Sequence, residues 1–203
     1  MFDRYLRAVK DRLFAPLSQV FGPRLTPNVV TWTAFVVGMA SAGAALAGAR
    51  RLALVLWLLN RVLDGLDGTH ARTHGLTSAY GGYLDIVLDS VVYAAVPIGL
   101  VASGHATPAL MLSAVGLLAS FYVNTASWMY LAAILEQRRE GVSATGESTT
   151  ITMPPGLIGG TETVVFYTAF FLWPSHLRGL FAVMILLVLL TVGLRLAWAR
   201  RHL

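Results

Sequence analysis

The sequence predicts an all-α integral membrane protein, with six transmembrane helices preceded by an N-terminal amphipathic interfacial helix. Three observations carry that prediction. Apolar residues make up 56% of the 203-residue chain and charged residues only 12%, with a mean hydropathy of +0.67, far from the balance of a soluble domain. The apolar residues fall into runs close to the roughly 20 residues that a helix needs to cross a bilayer. The basic residues gather at the ends of those runs, where they meet anionic headgroups and set orientation.

Residues 1–24 form the juxtamembrane helix: from Phe2, Arg4, Tyr5, Leu6 and Arg7 to Leu17, apolar and basic residues alternate at helical spacing. A charged, amphipathic start is unlike a cleavable signal. Residues 25–203 are the six-helix domain. Span one, 29–49, carries Gly38, Ala40, Ser41, Gly43 and Ala44, small enough for close helix packing. Arg50 and Arg51 turn the chain into span two, 52–73, apolar first and polar afterwards; span three, 82–103, has the reverse order. A short turn at 104–108 leads to span four, 109–135. Residues 136–160 read as a loop of charges, Ser, Thr, Gly and the pair Pro154 and Pro155. Spans five and six cover 161–173 and 177–198, and five is short for a crossing. Trp173 and Trp198 sit at span ends, as interfacial aromatics do.

Orientation follows from Arg and Lys. The N-terminus, the turn between spans two and three, the 136–160 loop and the C-terminus share one side and hold most of the basic residues, whereas the opposite turns hold Arg50, Arg51 and Arg178. The positive-inside rule makes that richer side cytoplasmic, in a bacterial-type inner or plasma membrane. The same placement argues against nucleic acid as a partner despite a pI near 10. With no cysteine, disulfides, thiolate catalysis and cysteine-ligated metals are excluded.

The chemistry concentrates where spans two and three meet. Four of the ten acidic residues, Asp64, Asp67, Asp85 and Asp89, fall within 26 positions. Ionisable side chains at membrane depth are costly and normally face a functional cavity. Asp64 and Asp67 are i, i+3 and Asp85 and Asp89 are i, i+4, so each pair projects from one helical face. Carboxylates meeting from two helices form an oxygen-only site suited to Mg²⁺ or Mn²⁺, and two such ions are a recurring device for phosphoryl displacement. Gly68 and Ala71 leave room for a ligand beside the metals, and Arg72 is a natural phosphate partner. Asn60, one turn before Asp64, reaches the site or makes a helix-packing hydrogen bond. Arg61 offsets negative charge or snorkels. His70 and His74 share a face and read as interfacial residues rather than ligands.

Asp64, Asp67, Gly68, Ala71 and Arg72, then eight residues, Gly81, three residues, Asp85, three residues and Asp89 match all eight fixed positions of the CDP-alcohol phosphotransferase (CDP-alcohol phosphatidyltransferase) signature. The chain therefore resembles that family. The resemblance implies transfer of a phosphatidyl group from CDP-diacylglycerol to a small alcohol, with release of CMP, in phospholipid synthesis. It implies Asp64, Asp67 and Asp85 as ligands of two Mg²⁺ or Mn²⁺ ions, Asp89 as ligand and base, and a homodimer. Gly68, Ala71, Arg72 and Gly81 would line the CDP pocket, joined by Asn28 and Thr31 at the opening of span one and by Ser78. Two alternatives stay open: transfer of a head group from a soluble CDP-alcohol to diacylglycerol, and a cation-coupled transporter using the same aspartates.

The acceptor is carried by fewer residues. Lysine is absent after Lys10, unlike family members that take glycerol 3-phosphate. Arg138, Arg139 and Arg195 are the basic candidates, and Arg195 interrupts an apolar run, where it could equally be a snorkelling helix-end residue. Glu162 opens span five as an acidic residue outside the hairpin. It favours a cationic, zwitterionic or hydroxyl-rich acceptor, such as serine, choline or a polyol, over a phosphate-bearing one.

Overall fold

Proline and hydroxyl side chains start three of the helices, and glycine turns follow the ends of two. The structure, a computed structural model, describes residues 14, 16, 18, 19, 22, 25–104, 106–138 and 156–203. The amphipathic helix expected over 1–24 lies for the most part outside these residues, as does Arg139. Helix α1, Pro27–Leu46, begins on a proline, whose missing N–H costs nothing in a first turn. It ends before Gly48, whose φ of +75° turns the chain. Helix α2 is Arg50–Thr73, followed by Gly75 at φ +65°. Helix α3, Ala79–Ala102, is capped by Ser78, whose Oγ accepts from Gly81 N at 3.0 Å. Helix α4, Pro108–Gln137, is capped in the same way by Thr107. Helix α5 is Gly160–Leu172, and a 3₁₀ turn at Pro174–His176 leads into α6, Leu177–His202.

All regular structure among the described residues is helical. Among the described residues, six continuous α-helices stand near the six expected spans, and four segments are both long and apolar enough to cross a membrane: α1, α3, α4 and 174–202. The chain is therefore a multi-pass membrane protein. Helix α2 is long enough, but it carries Arg50, Arg51, Arg61, Asp64, Asp67 and Arg72. Helix α5 has 13 residues, roughly 20 Å at 1.5 Å per residue, against a hydrocarbon core of about 30 Å.

The chain divides into two compact units, residues 1–106 with 167–174, and residues 107–166 with 175–203. In the first, α1 packs on α2 and α3. Three hydrogen bonds join α1 to α2 in antiparallel register: Ser41 Oγ to Ala53 O, Asn60 Nδ2 to Ala34 O, and Thr31 Oγ1 to Asp67 Oδ2, each 2.7 Å. Gly99 lets α3 press on α1; a Cβ there would lie 2.5 Å from Ala42 O. The fully buried Trp57 and Tyr167 stack at 4.9 Å between ring centroids. In the second unit α4 packs on α6, and Gly116 faces Ile185 across that contact.

Candidate active site

Helical spacing brings three of the four aspartates together. Asp64 on α2 and Asp85 and Asp89 on α3 each place a carboxylate oxygen within 4.8 Å of the others, and all three are half-buried. A guanidinium stands against the trio. Arg61 Nη2 donates to Asp89 Oδ1 at 2.6 Å and Nη1 to Asp89 Oδ2 at 3.1 Å, with Asp64 Oδ2 3.6 Å from Nη1. Arg61 thus offsets local negative charge rather than snorkelling, and its side chain is only 7% exposed. Asn60 fills both roles open to it: Nδ2 packs α2 on α1, and Oδ1 accepts from Arg61 Nε at 2.7 Å.

Asp67 is not one of the three converging carboxylates. It is buried, and its Oδ2 accepts from Thr31 Oγ1, which ties it to the opening of α1. Other residues expected at a donor pocket meet one another. Gly81 backs onto two of them, since a Cβ there would lie 3.0 Å from Ser78 Oγ and 3.2 Å from Asn28 Oδ1. The Arg72 guanidinium folds back over Gly68, where a Cβ would come within 3.2 Å of Nη1. Glycine at 68 keeps that approach open, while Ala71 is half-buried one turn on.

His70 is buried against protein. Its Nδ1 lies 3.0 Å from Ser18 Oγ and its Nε2 2.7 Å from Leu25 O, and His74 packs on its ring at 4.5 Å. Both imidazoles tie the segment before α1 to the end of α2.

The described acceptor candidates, Glu162, Arg138 and Arg195, belong to the second unit, and each has a hydrogen-bond partner. Glu162 Oε2 accepts from Gly159 N at 2.9 Å and so satisfies an N–H at the start of α5. Arg138 donates to the carbonyls of His202 and Leu203, a favourable place for a cation at a helix C-terminus. Arg195 is 5% exposed, so it does not snorkel; its Nη1 donates to Asn124 Oδ1 at 3.0 Å and to Ser127 Oγ at 3.3 Å. Beside it, Thr191 Oγ1 accepts from Leu157 N and Ile158 N.

The sequence reading missed the surroundings of Arg61. Tyr93 OH accepts from Arg61 Nη1 at 2.7 Å, and the guanidinium carbon lies 4.9 Å from the Trp57 ring centroid and 5.0 Å from that of Tyr93. The signal was there in the spacing: Trp57 is one turn before Arg61 and Tyr93 one turn after Asp89, on the same helical faces.

An all-carboxylate donor set is what Mg²⁺ and Mn²⁺ take. Three carboxylates converge there, and Arg61 brings one positive charge against them. The residues present therefore fit a divalent cation.

Residues 24–199 match the family model for CDP-alcohol phosphatidyltransferase. The inner membrane protein YnjF of Escherichia coli (strain K12) is 34% identical over 176 residues, covering 86% of this chain and 84% of that protein. A bifunctional IPC transferase and DIPP synthase of Thermococcus kodakarensis is 37% identical over 86 residues, covering 42% of this chain but 20% of that longer protein. The crystal structure of Mycobacterium tuberculosis phosphatidylinositol phosphate synthase (PgsA1) with CDP-DAG bound has the same fold, with a TM-score of 0.69 at 22% identity over 92% of each chain. The same protein in complex with manganese and citrate gives a TM-score of 0.67, also at 22% identity, over 93% of this chain and 87% of that one.

Proposed function

The chain belongs to the CDP-alcohol phosphatidyltransferase family, and from that premise we propose that it transfers a phosphatidyl group from CDP-diacylglycerol to the hydroxyl of a small polar alcohol, releasing CMP. The observation that carries this reading is the carboxylate trio of Asp64, Asp85 and Asp89 with oxygens within 4.8 Å, beside an Asp67 fixed by Thr31. CDP-DAG in one crystal structure of PgsA1 and manganese in another of the same protein support the choice of donor and of metal.

In this reading Asp64, Asp67 and Asp85, together with Asp89, would hold two Mg²⁺ or Mn²⁺ ions. When bound, the metal offsets the charge of the pyrophosphate and of the departing CMP. Asp89 takes the proton of the acceptor hydroxyl, whose oxygen attacks the phosphorus of the phosphatidyl group in line with the leaving oxygen. The bond from that phosphorus to CMP breaks as the new phosphodiester forms. Arg72 pairs with donor phosphate through its planar fork, and Gly68, Ala71, Gly81, Asn28, Thr31 and Ser78 shape the space for the cytidine end. The site then lies at cytoplasmic headgroup depth, where the bilayer delivers the lipid donor.

Glu162 is engaged at its own helix start, which leaves the acceptor to be read from products. Purified protein with CDP-dioleoylglycerol and a panel of serine, choline, a polyol, glycerol 3-phosphate and inositol phosphate should release CMP only when Mg²⁺ or Mn²⁺ and one of the alcohols are present. Mass spectrometry of the lipid product identifies which alcohol reacts. CMP release unaffected by EDTA would overturn the metal assignment. Turnover confined to a soluble CDP-alcohol with diacylglycerol would reverse the direction of transfer, and cation flux without CMP would replace a transferase by a transporter.

A further inference from the structure

Arg61 lies outside the eight positions that carry the family resemblance, yet it grips the carboxylate read as the base. We propose that Arg61 is a positioning residue for Asp89: its fork fixes that carboxylate in the one orientation from which it takes the acceptor proton. The proposal rests on the transferase reading above.

The geometry is that of a clamp with little freedom. An arginine offers five N–H donors in a rigid plane, and four are committed here: Nε to Asn60 Oδ1, Nη1 to Tyr93 OH and Asp89 Oδ2, and Nη2 to Asp89 Oδ1. Asn60 is itself tied to Ala34 O on α1, so the chain of contacts runs from α1 through α2 to α3. The Trp57 and Tyr93 rings lie about 5 Å from the guanidinium carbon. Arg61 uses one lone-pair site on each Asp89 oxygen, and a carboxylate has about four. The rest stay available for a proton or an ion. A buried ion pair is a weak source of stability, whereas a side chain held behind a reacting carboxylate acts on the chemistry.

Lysine separates orientation from charge. It keeps the cation but presents a point charge on a flexible stem, so it cannot grip both oxygens in one plane. Full-length Arg61→Lys, Tyr93→Phe and wild-type proteins would be compared by CMP release from CDP-dioleoylglycerol with the alcohol panel and Mn²⁺, and by Mn²⁺ binding followed by EPR without substrate. Arg61→Lys should lower kcat by about 10–100-fold, the range for a group that orients a metal-binding side chain, with donor KM unchanged and a much smaller fall in Mn²⁺ affinity than in kcat. Tyr93→Phe removes one anchor of the guanidinium and should lower kcat in the same way by a smaller factor.

Wild-type kcat in Arg61→Lys would overturn the proposal. So would a parallel loss of kcat, donor KM and Mn²⁺ binding, which marks general damage. If the lysine variant does not fold, wild-type kcat in Tyr93→Phe overturns it instead. No CMP from the wild type would overturn the transferase reading itself, and the role of Arg61 with it.

Discussion

Asp67 and Asp89 are chemically identical side chains in different settings. Asp67 is buried, with one oxygen spent on Thr31, while Asp89 is half-buried and held from behind by Arg61. The first setting suits a fixed ligand and the second a group that must exchange a proton. Asp89→Asn keeps an oxygen for one prong of the Arg61 fork but removes the charge and the basicity. It should lower kcat by about 10²–10⁴-fold, the span expected for loss of a general base, while CDP-diacylglycerol still binds. Turnover and equilibrium binding of the donor, measured on the same preparation, check this; full activity would refute the assignment. The carboxylates themselves were legible in the chain because helical spacing puts i, i+3 and i, i+4 on one face. The partners of Arg195 were not, because Asn124 lies 71 residues away and no local period reports such a distance.

Helix boundaries were legible where the chain marks its own ends. Thr26-Pro27, Ser78 and Thr107-Pro108 start helices, and Gly48 and Gly75 follow the ends of α1 and α2 through left-handed backbone. The nature of α2 and α5 was less so: a window that is half apolar and half charged averages to neither a span nor a surface helix. Close approach of helices was visible only as a supply of small residues, with no sign of which were used. Gly99 and Gly43 show the difference, since a Cβ on the first meets the Ala42 carbonyl at 2.5 Å and one on the second meets nothing within 4 Å. The atom in the way is backbone and cannot swing aside, so α3 must move off α1. Gly99→Leu should therefore cost about 1–3 kcal/mol, as overpacking does, and Gly43→Leu close to none. Thermal unfolding midpoints of the two variants in one detergent measure the contrast; equal midpoints would deny the α1–α3 contact its tightness.

At the scale of the whole chain, the question is how many helices cross. A crossing α2 would bring Arg61, Asp64 and Asp67 to membrane depth, where an ionised side chain at a helix centre costs about 2.5–3.5 kcal/mol on insertion scales. That cost is reduced where charges neutralise one another, as Arg61 and Asp89 do at 2.6 Å, and where hydrogen bonds hold the rest, as Thr31 does for Asp67. The 24 residues of α2 span roughly 36 Å, enough for a crossing once its polar face is covered by α1 and α3. We therefore expect α2 to cross, with the turn before α3 on the cytoplasmic side and the turn after α3 outside, in keeping with the positive-inside rule. If α2 did not cross, the two turns would exchange sides. The chain contains no cysteine, so single substitutions report without background. Thr77→Cys, in the exposed turn before α3, should resist a membrane-impermeant maleimide in intact cells, and Gly104→Cys, in the exposed turn after it, should react. The opposite pattern would place the aspartate hairpin on the outer face, away from any cytoplasmic supply of CDP-linked donor.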